Sequence, residues 1–351
     1  MEIASQKSIK KTILKAAVNI TGKLLPLFYY IIIIATISGI AATFFSVSYL
    51  KNKGPLQEEK TILIPSGSST FYIAKQLSKN NIIEFPQLFT IIIKITKSGK
   101  SLKAGEYSFS PAISPMNVLH KIKTGDVKVR KITIPEGLYT SQILELINKA
   151  PAQEGELPEN IAEGELLPET YEYHYGEKRA NMILRMKKAM TRTIDELWET
   201  RQADLPINNK QEALALASLI EKETAVPQER KRVAAVFINR LKKGMRLQTD
   251  PSVIYAVTKG KYILERPLSH KDLNMESPYN TYRNRGLPPT PIANPGRASI
   301  EAALNPLDTN EIYFVASGNG GHAFSENLEQ HNENVAKLRK REKEARNNLS
   351  N

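Results

Sequence analysis

Two glutamates in the run KQEALALASLIEKETA, Lys210–Ala225, have the spacing and surroundings for acid–base chemistry: Glu221 and Glu223. The run has no Pro or Gly and is rich in Ala and Leu, so it reads as a helix. Residues two apart on a helix point about 200° from one another, so the two carboxyls cannot share a face. Their surroundings must differ. Glu223 follows Leu219 by four residues, Ile220 by three and Leu216 by seven, which puts it at the centre of the apolar stripe. Glu221 stacks over Ala217 and Leu214, off that centre. Desolvation raises a carboxyl pKa, and a raised pKa is what a general acid needs near neutral pH. The sequence pattern therefore favours Glu223 as the acid. The alternative is that Glu223 is a buried acid paired with an arginine for structural reasons.

Other polar and aromatic side chains cluster in segments read as loops. RLQTDP, Arg246–Pro251, brings Gln248 and an Asp250-Pro251 turn. YNTY, Tyr279–Tyr282, offers two aromatic faces and the Asn280 amide, a surface suited to sugar rings and their hydroxyls. Gln248, Tyr279, Asn280 and Tyr282 are expected to line the cleft that holds Glu223, with the Gln248 amide orienting the acid. Ordinary loop packing is the competing account of YNTY. Metal and cofactor chemistry find no support. There is no cysteine, no HExxH and only five histidines, and GNGG at Gly318–Gly321 lacks the Lys-Ser/Thr of a phosphate loop. No G-x-S-x-G nucleophile elbow is present either. No cofactor and no metal are expected.

These candidates need elements to hold them. Apolar residues Ile183, Met186, Met190, Ile194 and Leu197 form a helical stripe over Asn181–Arg201. A second helix is expected over about 210–224 and a third over about 227–243, with Pro227 at a first-turn position and Gly244 at the stop. A strand, Glu311–Ser317, and the loop GNGGHAFS follow. The charged tail after Lys337 reads as a fraying helix. Residues 151–165, rich in Glu, Pro and Gly, read as an exposed loop. Upstream lies an internal echo: Ile64, Pro65, Gly67, Ile73 and Leu77 recur as Ile134, Pro135, Gly137, Ile143 and Ile147, always 70 residues on. Each copy reads as a strand, a Pro/Gly turn and an amphipathic helix. Between them Leu102–Ser110 alternates like a strand, and Ser114–Gly125 looks like a helix with a Ser cap and a Gly stop. Such strand–helix units resemble LysM-type glycan-binding modules. A packing unit duplicated without a binding purpose fits the same pattern.

The N-terminal region sets the address. Leu24–Leu50 holds no charge and is bracketed by Lys23 and Lys51. It exceeds the roughly 20 apolar residues that span a bilayer, and it has no small-residue cleavage site. Lys7, Lys10, Lys11, Lys15 and Lys23 precede it against Glu2 alone, so the positive-inside rule puts the N-terminus in the cytoplasm and the rest beyond the inner membrane, in the periplasm. The 49 basic residues against 36 acidic ones give +13. Much of that excess sits before the span and in the tail, so a nucleic-acid partner is not expected. At 351 residues, with 41% hydrophobic and 24% charged, the chain is long enough for two or three globular units.

Several strings together resemble one family, the endolytic murein transglycosylases, or YceG-like proteins. They are Ile220–Val257, YNTY, GLPPTPIANPG at Gly286–Gly296, Tyr313–Asn332 and LPETYEY at Leu167–Tyr173. The resemblance runs from the anchor to about residue 340. It implies an α+β fold with a single N-terminal transmembrane helix, a small LysM-like β/α subdomain and a larger mixed α/β catalytic domain. The corresponding boundaries are 1–23 cytoplasmic, 24–50 span, 51–60 linker, 61–130 LysM-like, 131–340 catalytic and 341–351 charged tail. It implies that the second acid of EKET, Glu223, is catalytic and cleaves the MurNAc–GlcNAc bond inside nascent peptidoglycan, leaving 1,6-anhydroMurNAc ends. It also implies peptidoglycan synthases as partners. Two other readings compete: a muramidase that uses water, and a non-enzymatic glycan-binding anchor.

Overall fold

A computed structural model describes residues 28–349. Helix α1, Phe28–Lys51, is long and apolar enough to cross a membrane. Leu24–Pro26, Leu27 and the five N-terminal lysines lie outside the described residues. The chain then divides after Lys128.

In the first unit the order after α1 is β1 (Lys60–Ile64), α2 (Thr70–Lys79), α3 (Pro86–Ile95), β2 (Gly105–Phe109) and α4 (Pro115–Thr124). β1 and β2 pair antiparallel, with Ile62 opposite Tyr107. The expected caps are present: the Ser114 hydroxyl accepts from the Asn117 amide, and Gly125 ends α4 at a φ of +74°. Tyr107, Phe109, Phe89, Leu77 and Ile122 form the core.

The second unit begins with the other half of the echo. β3 (Arg130–Thr133) leads through the turn at Gly137 into α5 (Thr140–Lys149). After β4 (Gln153–Glu154), β5 (Thr170–Tyr173) pairs antiparallel with β3, and β6 (Glu177–Lys178) pairs with β4. Ile134, Ile143, Ile147 and Tyr171 bury between this small sheet and the start of α6 (Arg179–Glu199). α7 (Lys210–Glu223) and α8 (Arg230–Lys242) follow, then α9 (Asp250–Thr258), α10 (His270–Leu273) and α11 (Arg297–Leu304). A hairpin, β7 (Tyr313–Ala316) and β8 (His322–Ser325), packs against α12 (Leu328–Leu349), so the charged tail continues a helix.

The main core forms where α7 packs between α6, α8 and α11. Every residue from Ala213 to Ile220 is buried. Alternating Ala and Leu let neighbours approach on all sides, and this overturns the one-stripe reading of α7. The helix has no polar face there on which a stripe could have an edge. The segment 151–165 is mostly exposed or half-buried, as expected, but it is tied down at two points. Gln153 is buried, and the Glu163 carboxylate accepts from the Thr140 amide (2.9 Å), the Thr140 hydroxyl (2.9 Å) and the Asn294 amide (3.2 Å). Glu163 thus fastens an otherwise exposed loop to the start of α5 and to Asn294.

Candidate active site

Glu223 is the last residue of α7. Its side chain is half-buried and opens on a cleft of about 730 Å³. Arg240, Gln248, Asp250, Tyr282, Tyr313 and His322 also line it. Burial is the main effect that pushes the Glu223 carboxyl above its ordinary pKa. The Asp250 charge adds to the rise, while Thr249 and His322 act against it. The Thr249 Oγ1 itself is buried without a hydrogen bond of ordinary geometry. Among the described residues no lysine or arginine pairs with Glu223.

Glu221 has the environment that could have belonged to Glu223. Its side chain is 6% exposed, accepts from the Gly296 amide at 2.8 Å and lies 3.6 Å from the Arg230 guanidinium. A Cβ at Gly296 would meet the Glu136 carboxylate at 1.8 Å, so any larger residue there would displace the Glu136 side chain. So the two acids differ as expected, but for another reason. Glu221 is the acid paired with an arginine. Glu223 is desolvated by the cleft at the helix end, not by a stripe along the helix.

The cleft floor is held by Arg240. Its Nε donates to the Ile312 carbonyl at 2.6 Å, and its Nη1 to the carbonyls of Arg246 (3.1 Å) and Leu247 (2.9 Å). One buried guanidinium thus fastens the 246–248 segment to the start of β7. Between these ties Gln248 adopts a φ of +54°, a region costly for a side-chain-bearing residue. Gln248 reaches the cleft as expected, but its Oε1 faces Arg240 Nη1 at 3.4 Å and makes no hydrogen bond to Glu223. Tyr282 also reaches the cleft and donates its hydroxyl to Asp250 Oδ1 at 2.6 Å. Burial, then that bond, pushes the Tyr282 pKa up, so it remains a donor.

The other two residues of YNTY do not meet Glu223. Asn280 is fully buried; its amide donates to the carbonyls of Leu273 (3.0 Å) and Met275 (2.8 Å), and its Oδ1 accepts from the Tyr282 amide (3.0 Å). It braces the loop. Tyr279 shares a hydrogen bond with Thr290 (2.8 Å) and lines a separate groove with Tyr255, Lys259 and Glu163. The reason is local. Asn280 points inward to satisfy carbonyls of the loop that precedes it, so its neighbours on either side face different ways.

Sequence reasoning missed three contributors. Asp250 was read only as a turn, yet it opens α9 in the cleft. Arg240 is indistinguishable in sequence from the other basic residues of α8. His322 follows the GNGG run without a motif of its own; its Nδ1 lies 2.7 Å from Glu229 Oε2 and its backbone amide donates to Oε1 at 2.9 Å. Burial pushes the Glu229 carboxyl up, but the His322 contacts outweigh it and hold the carboxyl below its ordinary value. A carboxylate-held imidazole thus stands at the cleft rim.

The fold and the site together define an α+β protein with one N-terminal helix apolar enough to cross a membrane and a cleft built around one desolvated carboxyl. Comparison with known proteins gives the family. The model of the YceG-like family matches residues 62–337, and the chain belongs to that family. A Bacillus subtilis protein named endolytic murein transglycosylase is 35% identical over 304 residues, covering 77% of this chain and 82% of the relative. A Streptococcus pneumoniae protein of the same name is 30% identical over 321 residues; the match spans 79% of this chain and 58% of that longer relative. A crystallised YceG-like protein from Listeria monocytogenes is 34% identical, with a TM-score of 0.49 over 79% of this chain and 98% of that one.

Proposed function

We propose that the chain is a membrane-anchored lytic endotransglycosylase that cleaves the MurNAc–GlcNAc bond inside peptidoglycan strands, with Glu223 as its acid and base. The observation that carries this reading is the Glu223 carboxyl: desolvated, in no ion pair with a lysine or arginine among the described residues, and open to the cleft. The relatives' names supply the substrate class.

The chemistry follows from that single group. Protonated Glu223 donates to the glycosidic oxygen as the bond to the muramyl C1 breaks. The carboxylate so formed takes the proton of the muramyl C6 hydroxyl as that oxygen attacks C1. A 1,6-anhydro ring closes, no water is consumed, and Glu223 ends protonated as it began. Asp250, with Tyr282 donating to it, supplies negative charge near the sugar that becomes positive in the transition state. Gln248 and Tyr282 offer hydrogen bonds to sugar hydroxyls. Neither Asn280 nor Tyr279 has a part in this cleft.

The remaining assignments rest on pattern. The β1-α2-α3-β2 order with an antiparallel strand pair supports a LysM-like reading of the first unit. Helix α1 supports anchoring in the cytoplasmic membrane. The lysines before it support a cytoplasmic N-terminus with the catalytic unit outside. Peptidoglycan synthases as partners follow from the family resemblance alone. The test is digestion of purified glycan strands by the full chain, with products read by mass spectrometry. Internal cuts carrying 1,6-anhydroMurNAc ends are expected. Reducing muramyl ends instead would identify a hydrolase, and the absence of products under all conditions would leave only the binding role.

A further inference from the structure

Helix α3 is apolar on more sides than its packing uses. Phe89, Ile92 and Ile93 bury in the first unit's core, while Ile91 and Ile95 stand 51% and 75% exposed on the other side. A helix that is apolar all round belongs in a protein core or in lipid, and the outer face of α3 is in neither within this chain. Its position says which applies. Phe85, immediately before α3, packs its ring against Phe45 (6.1 Å between centroids) and Tyr49 (5.5 Å) of α1. α1 has 24 residues, about 36 Å at roughly 1.5 Å per residue, against about 30 Å of hydrocarbon. Tyr49 is two residues from its end and Phe45 six. Phe85 and the first turn of α3 are therefore level with the headgroups. Charge agrees with that depth. Lys94, Lys97 and Lys100 lie on or just after α3, with Glu84 and Glu106 the nearest acids in sequence on either side, and Lys51 and Lys53 follow the span.

We infer that α3 is a membrane-surface helix. Its Ile91/Ile95 face dips into the headgroup–acyl boundary of an anionic bilayer, and Lys94, Lys97 and Lys100 sit on the acidic headgroups. The first unit is then docked flat on the membrane that α1 crosses, with its strands and α4 turned to the aqueous side. This rests on the reading of α1 as a membrane span.

The chain has no cysteine, so single spin labels report cleanly. The full-length protein, carrying Ile95→Cys or Ile91→Cys, is reconstituted in phosphatidylglycerol-containing vesicles. Accessibility of the label to oxygen and to a water-soluble nickel chelate is then measured. Ile37→Cys, within α1, marks the span, and Glu199→Cys, exposed on the second unit, marks water. The inference requires both α3 labels to favour oxygen at a depth of roughly 5–10 Å below the headgroup level. It also requires that depth to be lost in Lys94→Glu/Lys97→Glu/Lys100→Glu. Labels at 91 and 95 as accessible to nickel as the one at 199 overturn it. So do labels shielded from both reagents, which would mean a protein partner or a second copy covers the face. If the label at 37 is itself in water, it is the span reading that has failed.

Discussion

Glu223→Gln and Glu221→Gln should fail in opposite ways, and the structure sets how far. Glu223 is half-buried, unpaired and isosteric with glutamine, so the substitution leaves no orphaned charge and no cavity. Proton donation and removal in such reactions are worth about 10²–10⁴-fold each way. One carboxyl serves both steps, so turnover should fall by at least about 10⁴-fold. The fold should not suffer. Burial raises the Glu223 pKa in the native state, so the native protein keeps a proton that the unfolded chain has released. Stability of the wild type is therefore lost as pH rises from the ordinary glutamate value to the raised one. Glutamine has nothing to ionise, so the variant should melt at the same temperature or higher above that window. Glu221→Gln inverts the pattern. The amide oxygen can still accept from Gly296, but the charge facing Arg230 is gone. Loss of a buried charged partner costs about 1–3 kcal/mol. The low end applies, because Glu136, pushed up by burial and then by Glu221, is relieved at the same time. At roughly 2–4 °C per kcal/mol for a unit of this size, melting should drop by about 2–6 °C. Below that temperature, anhydro-product formation should stay within a few-fold of wild type. Both readouts come from one preparation: calorimetry, and mass spectrometry of digested strands. A dead Glu221→Gln with unchanged melting, or an active Glu223→Gln, refutes the assignment of roles.

The neighbours of Glu223 can be tested in the same assays. Asp250→Asn removes a negative charge that pushes Glu223 up, so the acid should ionise at lower pH. The alkaline limb of kcat/KM should move down, with activity near pH 5 kept better than at pH 8; an unmoved limb would mean Asp250 does not act on the acid. Tyr282→Phe loses a hydrogen bond to a charged acceptor, worth about 1.5–3 kcal/mol, so melting should fall together with a roughly 10- to 100-fold loss of kcat/KM. Asn280→Ala removes three buried hydrogen bonds and should cost about 2–4 kcal/mol in denaturant unfolding. Tyr279→Ala should leave turnover near normal, and a tenfold loss at unchanged stability would make its groove part of the glycan path.

Most of the scaffold was legible in local pattern, because caps and turns are local chemistry. Ser114 and Gly125 bound α4, Pro227 and Gly244 bracket the α8 region, and the 70-residue echo is two real strand–turn–helix units. What failed was inference from one helix about its surroundings. Ala213–Ile220 is small and aliphatic on every side, and such a run fits a stripe as well as a sheath; only its packing with α6, α8 and α11 decides. Glu223 is singled out in the sequence through a stripe that does not exist, although the difference between Glu221 and Glu223 does. YNTY failed differently. Its composition suits sugars, but composition does not say where four consecutive side chains point. A buried Asn280 sends Tyr279 to one groove and Tyr282 to the other. Arg240 and Asp250 left no local signal, because their roles depend on carbonyls and hydroxyls 30–70 residues away in the chain.

The second carboxylate sharpens the chemistry of the cleft. With Glu223 and Asp250 both present, the usual two-carboxylate requirement of a glycoside hydrolase is met on residue types alone. The two are not equivalent. Glu223 is raised by burial, whereas Asp250 opens α9, where the helix dipole favours negative charge, and accepts from Tyr282. The buried Glu223 carboxyl suits a proton donor, and the Tyr282-held Asp250 at the helix start suits a charge stabiliser. A stabiliser serves any reaction that makes the anomeric carbon positive, so it is neutral between water and a sugar hydroxyl as nucleophile. The choice falls to proximity. The muramyl C6 hydroxyl is already part of the reacting sugar, and well-oriented intramolecular nucleophiles reach effective molarities of about 10⁵–10⁸ M. Water must be both admitted and deprotonated to compete. In the proposed mechanism Glu223 is ionised beside C1 after the first step, next to a hydroxyl that needs no diffusion. The single-acid route to the anhydro ring is therefore the faster one, unless the fold holds a water there on purpose.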